Sequence, residues 1–234
     1  MKAEADGDSE IAGCVRIMPA RCAGNHEERG VIGMQEVLFQ FLGGFSIFVN
    51  GEINDSLAYK TRKGVSLLEY LVLQRGKAVS SQRLIRELWN GRRSDSPENA
   101  LKTMVSRLRS QLNLISPGLG ACVQSEQGAY RWRELPGVEA DVLIFLRLAE
   151  DLKTALPPAE QRLRYRRLMQ IYRGDLYQTG DMNDGAIQAS WLHREYLEAV
   201  HAYIGQLREG EEFNELCDVC QQAIRVDELD ETLH

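Results

Sequence analysis

The chain has 234 residues, of which 44% are hydrophobic and 26% charged, and its formal net charge is −6. This composition is typical of a folded, water-soluble protein, and the length suits one or two domains. No apolar run reaches the roughly 18 residues that a transmembrane helix needs, and the N-terminus lacks an apolar stretch of the signal-peptide kind. We therefore expect a cytoplasmic protein with no membrane partner. The acidic total by itself argues against a nucleic-acid partner.

The charge is unevenly distributed along the chain. Residues 37–136 carry 14 basic and 8 acidic side chains, a net of +6, whereas residues 137–234 carry 10 and 19, a net of −9. A basic segment followed by an acidic one indicates a module that faces nucleic acid, attached to another part. Two solvated surfaces of opposite sign fit the same charges.

The first 35 residues are rich in Gly, Ala, Glu and Asp and show no sustained period, which predicts a disordered N-terminal extension. Met34 directly precedes the first strong apolar pattern, so it is a candidate for the natural start. From Val37 the pattern is strand-like, over residues 37–42 and 45–49. Asn50-Gly51 then predicts the turn of a β-hairpin.

A helical period follows. Apolar residues between Arg62 and Gly76 predict a first helix. Ser80 is a candidate N-cap for a second helix over 81–89. Ser96 is a candidate N-cap for a third helix, which begins at Pro97 and runs to about Leu112. Short strands are predicted at 122–125 and 130–133, on either side of Gln127-Gly128.

The rest of the chain is predicted to be helical. Candidate helices cover residues 140–156, 159–173, 185–209 and 212–226, and the breaks between them contain Gly or Pro. The last two are predicted to form an antiparallel hairpin. Another helix is predicted to begin near Leu229, so we expect the chain to end within a repeat. A longer parent protein is therefore an open alternative.

The third helix carries the residue types that read DNA. Leu101, Val105, Leu108 and Leu112 recur at helical spacing and predict a buried face. The remaining positions of interest are Asn99, Lys102, Thr103, Ser106, Arg107 and Arg109. Asn, Lys, Ser and Thr can bond to base edges in the major groove, whereas Arg107 and Arg109 suit phosphates. A solvated surface helix has the same composition, so the flanking pattern decides between the two.

No other site chemistry is supported. A phosphate-binding G-x-x-x-x-G-K-[ST] loop is absent from the sequence. The five cysteines, Cys14, Cys22, Cys122, Cys217 and Cys220, are odd in number and irregularly spaced, so we expect neither a disulfide framework nor a metal site. His193 and His201 lack the i, i+4 spacing of a helical zinc pair, so we interpret them as surface or packing residues. We predict no enzymatic activity, no metal and no cofactor.

Five motifs stand in order within the middle segment. They are Thr61-Arg62-Lys63, Leu67-Leu68-Glu69-Tyr70-Leu71, Val79 to Leu84 with Leu88-Trp89, Val105-Ser106-Arg107-Leu108-Arg109, and Gly128-Ala129-Tyr130-Arg131. In this order and spacing they resemble the OmpR/PhoB-type winged-helix domain. Downstream, Val138 to Val142 with Phe145, and Tyr172-Arg173-Gly174-Asp175-Leu176, are similar to the bacterial transcriptional activator domain. Together they resemble the SARP (antibiotic regulatory protein) class of activators.

The resemblance implies a fold and a function. The fold is α+β, a winged helix-turn-helix with an N-terminal β-sheet and a C-terminal wing, followed by an all-α tetratricopeptide-like helical domain. The expected domains are a disordered extension over 1–35, a winged helix over 36–135 and a helical domain over 138–234, truncated at its C-terminus. The function would be sequence-specific binding of double-stranded DNA and activation of transcription by a homodimer on direct repeats, in contact with RNA polymerase.

The resemblance also implies site residues. The recognition-helix positions fall on Asn99, Lys102, Thr103, Ser106, Arg107 and Arg109, and further DNA contacts on Arg62, Lys63, Arg92, Arg93, Gln127 and Arg131. The polymerase-contacting loop would include Trp89, Asn90, Arg92 and Asp95. One departure bears on the wing, because Glu126 precedes Gln127-Gly128-Ala129-Tyr130 where the family has a basic or small residue. An acid there would be repelled by the minor groove.

Two alternatives stay open at this level. The helical part could be a protein-interaction scaffold that binds a peptide or partner, with the winged helix docking protein instead of DNA. The chain could also be the N-terminal part of a larger, ATP-dependent regulator.

Overall fold

The structure, a computed structural model, describes residues 35–54, 62–89, 96–177 and 185–233. The strands are β1 (Val37–Gln40), β2 (Ser46–Val49), β3 (Glu52–Ile53), β4 (Val79–Ser80), β5 (Val123–Glu126), β6 (Ala129–Trp132) and β7 (Val138–Ala140). The helices are α1 (Arg62–Leu73), α2 (Ser81–Trp89), α3 (Pro97–Ile115), α4 (Asp141–Leu152), α5 (Pro158–Ile171), α6 (Gly185–Glu209) and α7 (Phe213–Ile224). The predicted extension over 1–35 and the candidate start at Met34 lie outside this description, except for residue 35.

The first sheet has the strand order β3-β2-β1-β7. Asn50 and Gly51 form the two-residue turn between β2 and β3, and their φ angles are 52° and 84°. Two positive φ values are the requirement of the turn whose twist matches antiparallel strands, and Asn-Gly meets it at low cost. The predicted hairpin is therefore confirmed.

Strand β7 corrects the prediction that the chain is helical from residue 138. It pairs in parallel with β1, Val37 opposite Val138 and Phe39 opposite Ala140. A three-residue strand has too few positions to show a period, and its partner lies about 100 residues earlier in the chain. The helical part begins at Asp141, and its first turn lies directly against the N-terminal sheet.

Helices α1, α2 and α3 and the sheet β4-β6-β5 form the winged-helix part. Ser80 caps α2 as predicted, since its Oγ accepts the Arg83 amide at 3.3 Å. Ser96 is the N-cap residue of α3, as predicted, although its side chain makes no capping hydrogen bond. Pro97 begins α3 as predicted, and the helix continues to Ile115, about one turn further than expected.

The helical part is fastened to the first sheet by a buried carboxylate. Asp141 accepts the amides of Phe41 and Leu42, with N–O distances of 2.9–3.0 Å, and also that of Val142 at 2.7 Å. It is 4% exposed. Because buried amides must be paired, this carboxylate replaces the backbone carbonyls that would otherwise accept the amides of residues 41 and 42.

A second contact lies nearby, between the segments around residues 43 and 174. Gly43 donates to the Asp175 carbonyl at 2.9 Å, and Leu42 forms an isolated bridge with Leu176. Gly43 has a φ of 79°, and a Cβ there would lie 2.9 Å from the Arg173 carbonyl carbon. Only glycine satisfies both conditions, so the close approach depends on it.

Helices α4 to α7 form two hairpins, in agreement with the predicted helical array. Stacked rings join neighbouring helices, with centroids 4.8 Å apart for Tyr165 and Tyr203 and 4.2 Å apart for Tyr172 and Tyr196. The side chain of Arg166 makes two hydrogen bonds to Glu215, at 2.5 and 2.6 Å, and so joins α5 to α7. None of the described helices is long and apolar enough to cross a membrane.

The two histidines of α6 are packing residues held by acids. His193 lies between two carboxylates, with Nδ1 2.7 Å from Asp175 and Nε2 3.1 Å from Asp227. Burial lowers the pKa of His193, but the hydrogen bonds to the two carboxylates raise it by more, so the pKa lies above its ordinary value. His201 lies 2.8 Å from Asp230. Both side chains thus hold the segment after α7 against α6, as their interpretation as surface or packing residues requires.

Candidate nucleic-acid interface

Helix α3 separates its apolar and polar residues as predicted. Leu101, Val105, Leu108 and Leu112 are its buried residues. The exposed positions include Asn99, Lys102, Thr103, Ser106 and Arg107. Five side chains of the types that bond to bases and phosphates therefore stand together on the solvent side of one helix.

Arg109 differs from these five. It is half-buried, and its Nε donates to the Val123 carbonyl at 2.8 Å while its Nη2 donates to the Ser125 hydroxyl at 3.1 Å. Both acceptors belong to β5, the outer strand of the second sheet. Its guanidinium is thus engaged within the winged helix, whereas the sequence interpretation assigned it to a phosphate.

Strands β5 and β6 form the wing, and Gln127-Gly128 is its two-residue turn. The φ angles are 47° at Gln127 and 79° at Gly128. Gln127 is exposed at the tip. A second hairpin of the Asn50-Gly51 kind thus presents the tip to solvent.

The acid at the wing has a partner within the wing. The Glu126 carboxylate lies 3.3 Å from Nη2 of Arg131, whose Nε also donates to the Gln124 amide oxygen at 3.1 Å. Both members of the ion pair are about half exposed, so the contact is weak and screened by salt. It nevertheless offsets the negative charge of Glu126 at the wing.

The wing tip is joined to the start of α2. The Gly128 carbonyl accepts both the Ser81 amide at 2.9 Å and the Ser81 hydroxyl at 2.7 Å. Arg83, exposed in the first turn of α2, lies two residues after Ser81, and its guanidinium carbon is 6.0 Å from the centre of the Tyr70 ring. The sequence interpretation missed Arg83, although a basic residue in the turn after a capping Ser80 was a usable signal.

Lys63 and Arg62 lie at the start of α1. Arg62 is exposed, and the Lys63 ammonium lies 5.1 Å from the centre of the Trp89 ring. A surface groove of about 410 Å³ separates this end of α1 from α3, and Lys63, Thr103, Met104 and Arg107 are among the residues that line it. Lys63 of α1 therefore lines the same groove as Thr103 and Arg107 of α3, so the three side chains can contribute to one surface.

Part of the predicted site lies outside the described residues. This applies to Asn90, Arg92, Arg93 and Asp95, whereas Trp89 is the last residue of α2. Among the described residues, no group of three or more His, Cys, Asp or Glu side chains is arranged to hold a metal ion. Cys217 and Cys220 are free thiols on α7.

The comparisons with known proteins agree with this arrangement. Residues 56–129 match the family described as transcriptional regulatory protein, C terminal. A relative, the sensory transduction protein BceR of Bacillus subtilis (strain 168), is 38% identical over 68 residues, which are 29% of this chain and 28% of BceR. A solved structure of Mycobacterium tuberculosis EmbR in complex with a low-affinity phosphopeptide has a similar fold, with a TM-score of 0.59 at 18% identity.

These matches concern one domain of the chain and its fold. The EmbR match covers 82% of this chain and 54% of that chain, so this chain spans about half the length of EmbR and less than a third of BceR. A winged helix preceded by strands and followed by helices is the architecture predicted from the motifs. Residues 56–129 are thus similar to the C-terminal domain of transcriptional regulatory proteins, and the described residues have a fold similar to that of EmbR, a winged helix with N-terminal strands followed by helices.

Proposed function

We propose that this protein binds double-stranded DNA in a sequence-specific manner and activates transcription. The observation that carries the proposal is the exposed polar face of α3, opposite its buried leucines and valine, within a domain that matches a regulatory family. In this proposal α3 lies in the major groove, where Asn99, Lys102, Thr103 and Ser106 contact base edges. Arg107, Arg62 and Lys63 contact phosphates.

The wing and the start of α2 contribute further contacts in this proposal. Gln127 and Arg131 lie on the wing, and Arg83 is exposed in the first turn of α2, two residues after the Ser81 that bonds to Gly128. The Glu126–Arg131 pair reduces the charge that Arg131 can offer to a phosphate. We therefore assign the wing a smaller share of the affinity than α3.

Binding is assigned to paired protomers on direct repeats. A module with a net charge of +6 over residues 37–136 binds DNA modestly and with steep salt dependence. Two adjacent modules add their contacts on one DNA, so pairing supplies the affinity that one module lacks. Probes with one and with two half-sites distinguish paired from single binding.

The polymerase contact is assigned to the loop after Trp89, which contains Asn90, Arg92 and Asp95. The support for this assignment is the family resemblance and the position of Trp89 at the end of α2. Alanine variants of these three residues are expected to keep DNA binding and lose activation in transcription reconstituted with purified polymerase. Loss of DNA binding in all three would instead assign the loop to the DNA.

The DNA assignment makes a quantitative prediction. A site is first selected from random-sequence double-stranded DNA by the wild-type protein. Lys102→Ala is then expected to weaken binding to that site by about 1–3 kcal/mol and to relax the preference at one position. Arg107→Ala is expected to weaken binding to all sequences alike and to reduce the salt slope by about 1. Mobility shifts at several salt concentrations measure both effects.

Arg225→Ala is the matched control, because Arg225 is an exposed basic residue beyond α7. It is expected to bind like the wild type. Equal and sequence-independent binding by wild type, Lys102→Ala and Arg107→Ala would refute specific recognition by α3. A partner retained after nuclease treatment, with no DNA sequence selected, would favour the protein-interaction scaffold.

A further inference from the structure

A cleft separates the second half of α3 from the wing. It has a volume of about 550 Å³, and Arg109, Asn113, Gly120, Val123 and Ser125 are among the residues that line it. The helix that would read bases and the wing that would contact the backbone face each other across this cleft. A side chain that bridges this cleft constrains the angle between α3 and the wing.

Arg109 crosses the cleft to the outer edge of β5. The Cys122 carbonyl accepts the Arg133 amide at 2.7 Å, and therefore points towards the β6 side. Carbonyls alternate in direction along a strand, so the Val123 carbonyl points away from β6, to the side on which β5 has no neighbouring strand. Nε of Arg109 supplies the donor that this carbonyl lacks.

The guanidinium makes its second bond two residues further along β5. Nη2 donates to the Ser125 hydroxyl at 3.1 Å, beside the wing tip. Two bonds from one planar group to two points on a strand fix an orientation as well as a distance. A lysine ammonium carries the same charge but has no planar fork with which to repeat the pair.

The chain leading into the wing is also held against α3. The Asn113 side-chain oxygen accepts the Gly120 amide at 2.8 Å. A Cβ at Gly120 would lie 2.7 Å from the Arg109 carbonyl oxygen, so the two backbones are in close contact. The contacts of Asn113 and Gly120 thus fix the start of the wing against α3. The two bonds of Arg109 hold its outer strand, β5, against the same helix.

We propose that Arg109 is a positioning residue that sets the angle of the wing relative to α3, and that it does not bind a phosphate. This inference rests on the proposed DNA-binding function. In this reading, the exposed side chains of α3 and the wing tip can contact the same DNA only while Arg109 holds β5. If Arg109 binds a phosphate, a lysine at position 109 replaces it, because the positive charge is kept. If Arg109 positions the wing, a lysine does not replace it, because the paired hydrogen bonds to β5 are lost.

The test compares Arg109→Lys, Arg109→Met and Arg107→Met by mobility shift on the DNA site selected by the wild type, between about 50 and 200 mM salt. A positioning role predicts that both Arg109 variants bind about tenfold or more weakly, and that Arg109→Lys, which keeps the charge, binds no better than Arg109→Met. Arg107→Met, the matched phosphate contact, is expected to reduce the slope by about 0.9. If Arg109→Lys binds like the wild type while Arg109→Met loses about 0.9 of slope, Arg109 is a phosphate ligand and the proposal is overturned.

Ser125→Ala gives a second readout, because it removes one of the two acceptors on β5 while Arg109 itself stays in place. If Ser125 acts through Arg109, its removal weakens binding in the wild type and has no further effect in Arg109→Lys. If the losses from Ser125→Ala and Arg109→Lys add in the double variant, Ser125 contacts the DNA independently of Arg109, and this part of the proposal is overturned. Failure of the wild type to select any sequence would instead refute the proposed function, and this inference would fall with it.

Discussion

Asp141→Ala is expected to lower the free energy of unfolding by about 3 kcal/mol. The substitution leaves the buried amides of Phe41, Leu42 and Val142 without the carboxylate that accepts them. Each unpaired buried amide costs about 1–3 kcal/mol, and relief of the buried charge offsets part of the total. For a chain of this size the expected fall in Tm is roughly 6–12 °C.

Thermal and denaturant unfolding of the variant measure this loss. Asp218→Ala is the matched control, because Asp218 is an exposed aspartate on α7, and it is expected to stay within about 0.5 kcal/mol of the wild type. A wild-type Tm for Asp141→Ala would mean that residues 41–42 find other partners. The helical part would then be held to the sheet by the contacts around Gly43 and by packing.

Glu69→Gln is expected to stabilise the protein at pH 8 by an amount on the order of 4 kcal/mol. Glu69 lies on α1 and is 2% exposed, and its Oε2 has no hydrogen-bond partner among the described residues. Burial raises the pKa of Glu69 from 4.5 to about 8. A glutamine of similar shape keeps the packing and never has to carry the charge.

The pH dependence has a definite sign. Between pH 4.5 and 8 the folded protein retains the Glu69 proton that the unfolded chain releases. Stability therefore falls as the pH rises through this interval, because the folded state binds more protons there. Near pH 4.5 Glu69 is protonated in the folded state and about half protonated in the unfolded state. The wild type and Glu69→Gln are therefore expected to differ by less than about 1 kcal/mol there.

Urea unfolding at intervals from pH 4.5 to 8.5 provides the measurement. The slope of the wild-type curve should be steeper than that of Glu69→Gln, and the two curves should converge at low pH. Glu134→Gln, a change at an exposed position before β7, serves as the control and should run parallel to the wild type. Parallel curves for Glu69→Gln would show that the Glu69 carboxylate has water or a cation beside it.

The winged helix and the helical part share one core. The first sheet contains β7 beside β1, and Asp141 of α4 accepts the Leu42 amide just beyond β1. Gly43 and Asp175 join the same two parts through their backbones. Under the proposed function, this arrangement holds α3 and the helical array in a fixed relation, which suits binding of protomers side by side.

The sequence predicted the features that depend on local pattern. The spacing of Leu101, Val105, Leu108 and Leu112 defined the buried face of α3, since helix geometry places such positions on one side. Asn50-Gly51 and Gln127-Gly128 defined two hairpin turns, because few dipeptides accept two positive φ angles. The order of these elements was enough to indicate a winged helix.

Tertiary structure decided what depends on residues far apart in the chain. Nothing local to Val138–Ala140 specifies a strand, because its partner β1 supplies the hydrogen bonds from about 100 positions away. Arg109 and Arg107 stand two residues apart on one helix with the same charge, and only the position of β5 separates their roles. Local periodicity thus fixes which residues face solvent, whereas which of them are free to bind depends on the long-range contacts of the fold.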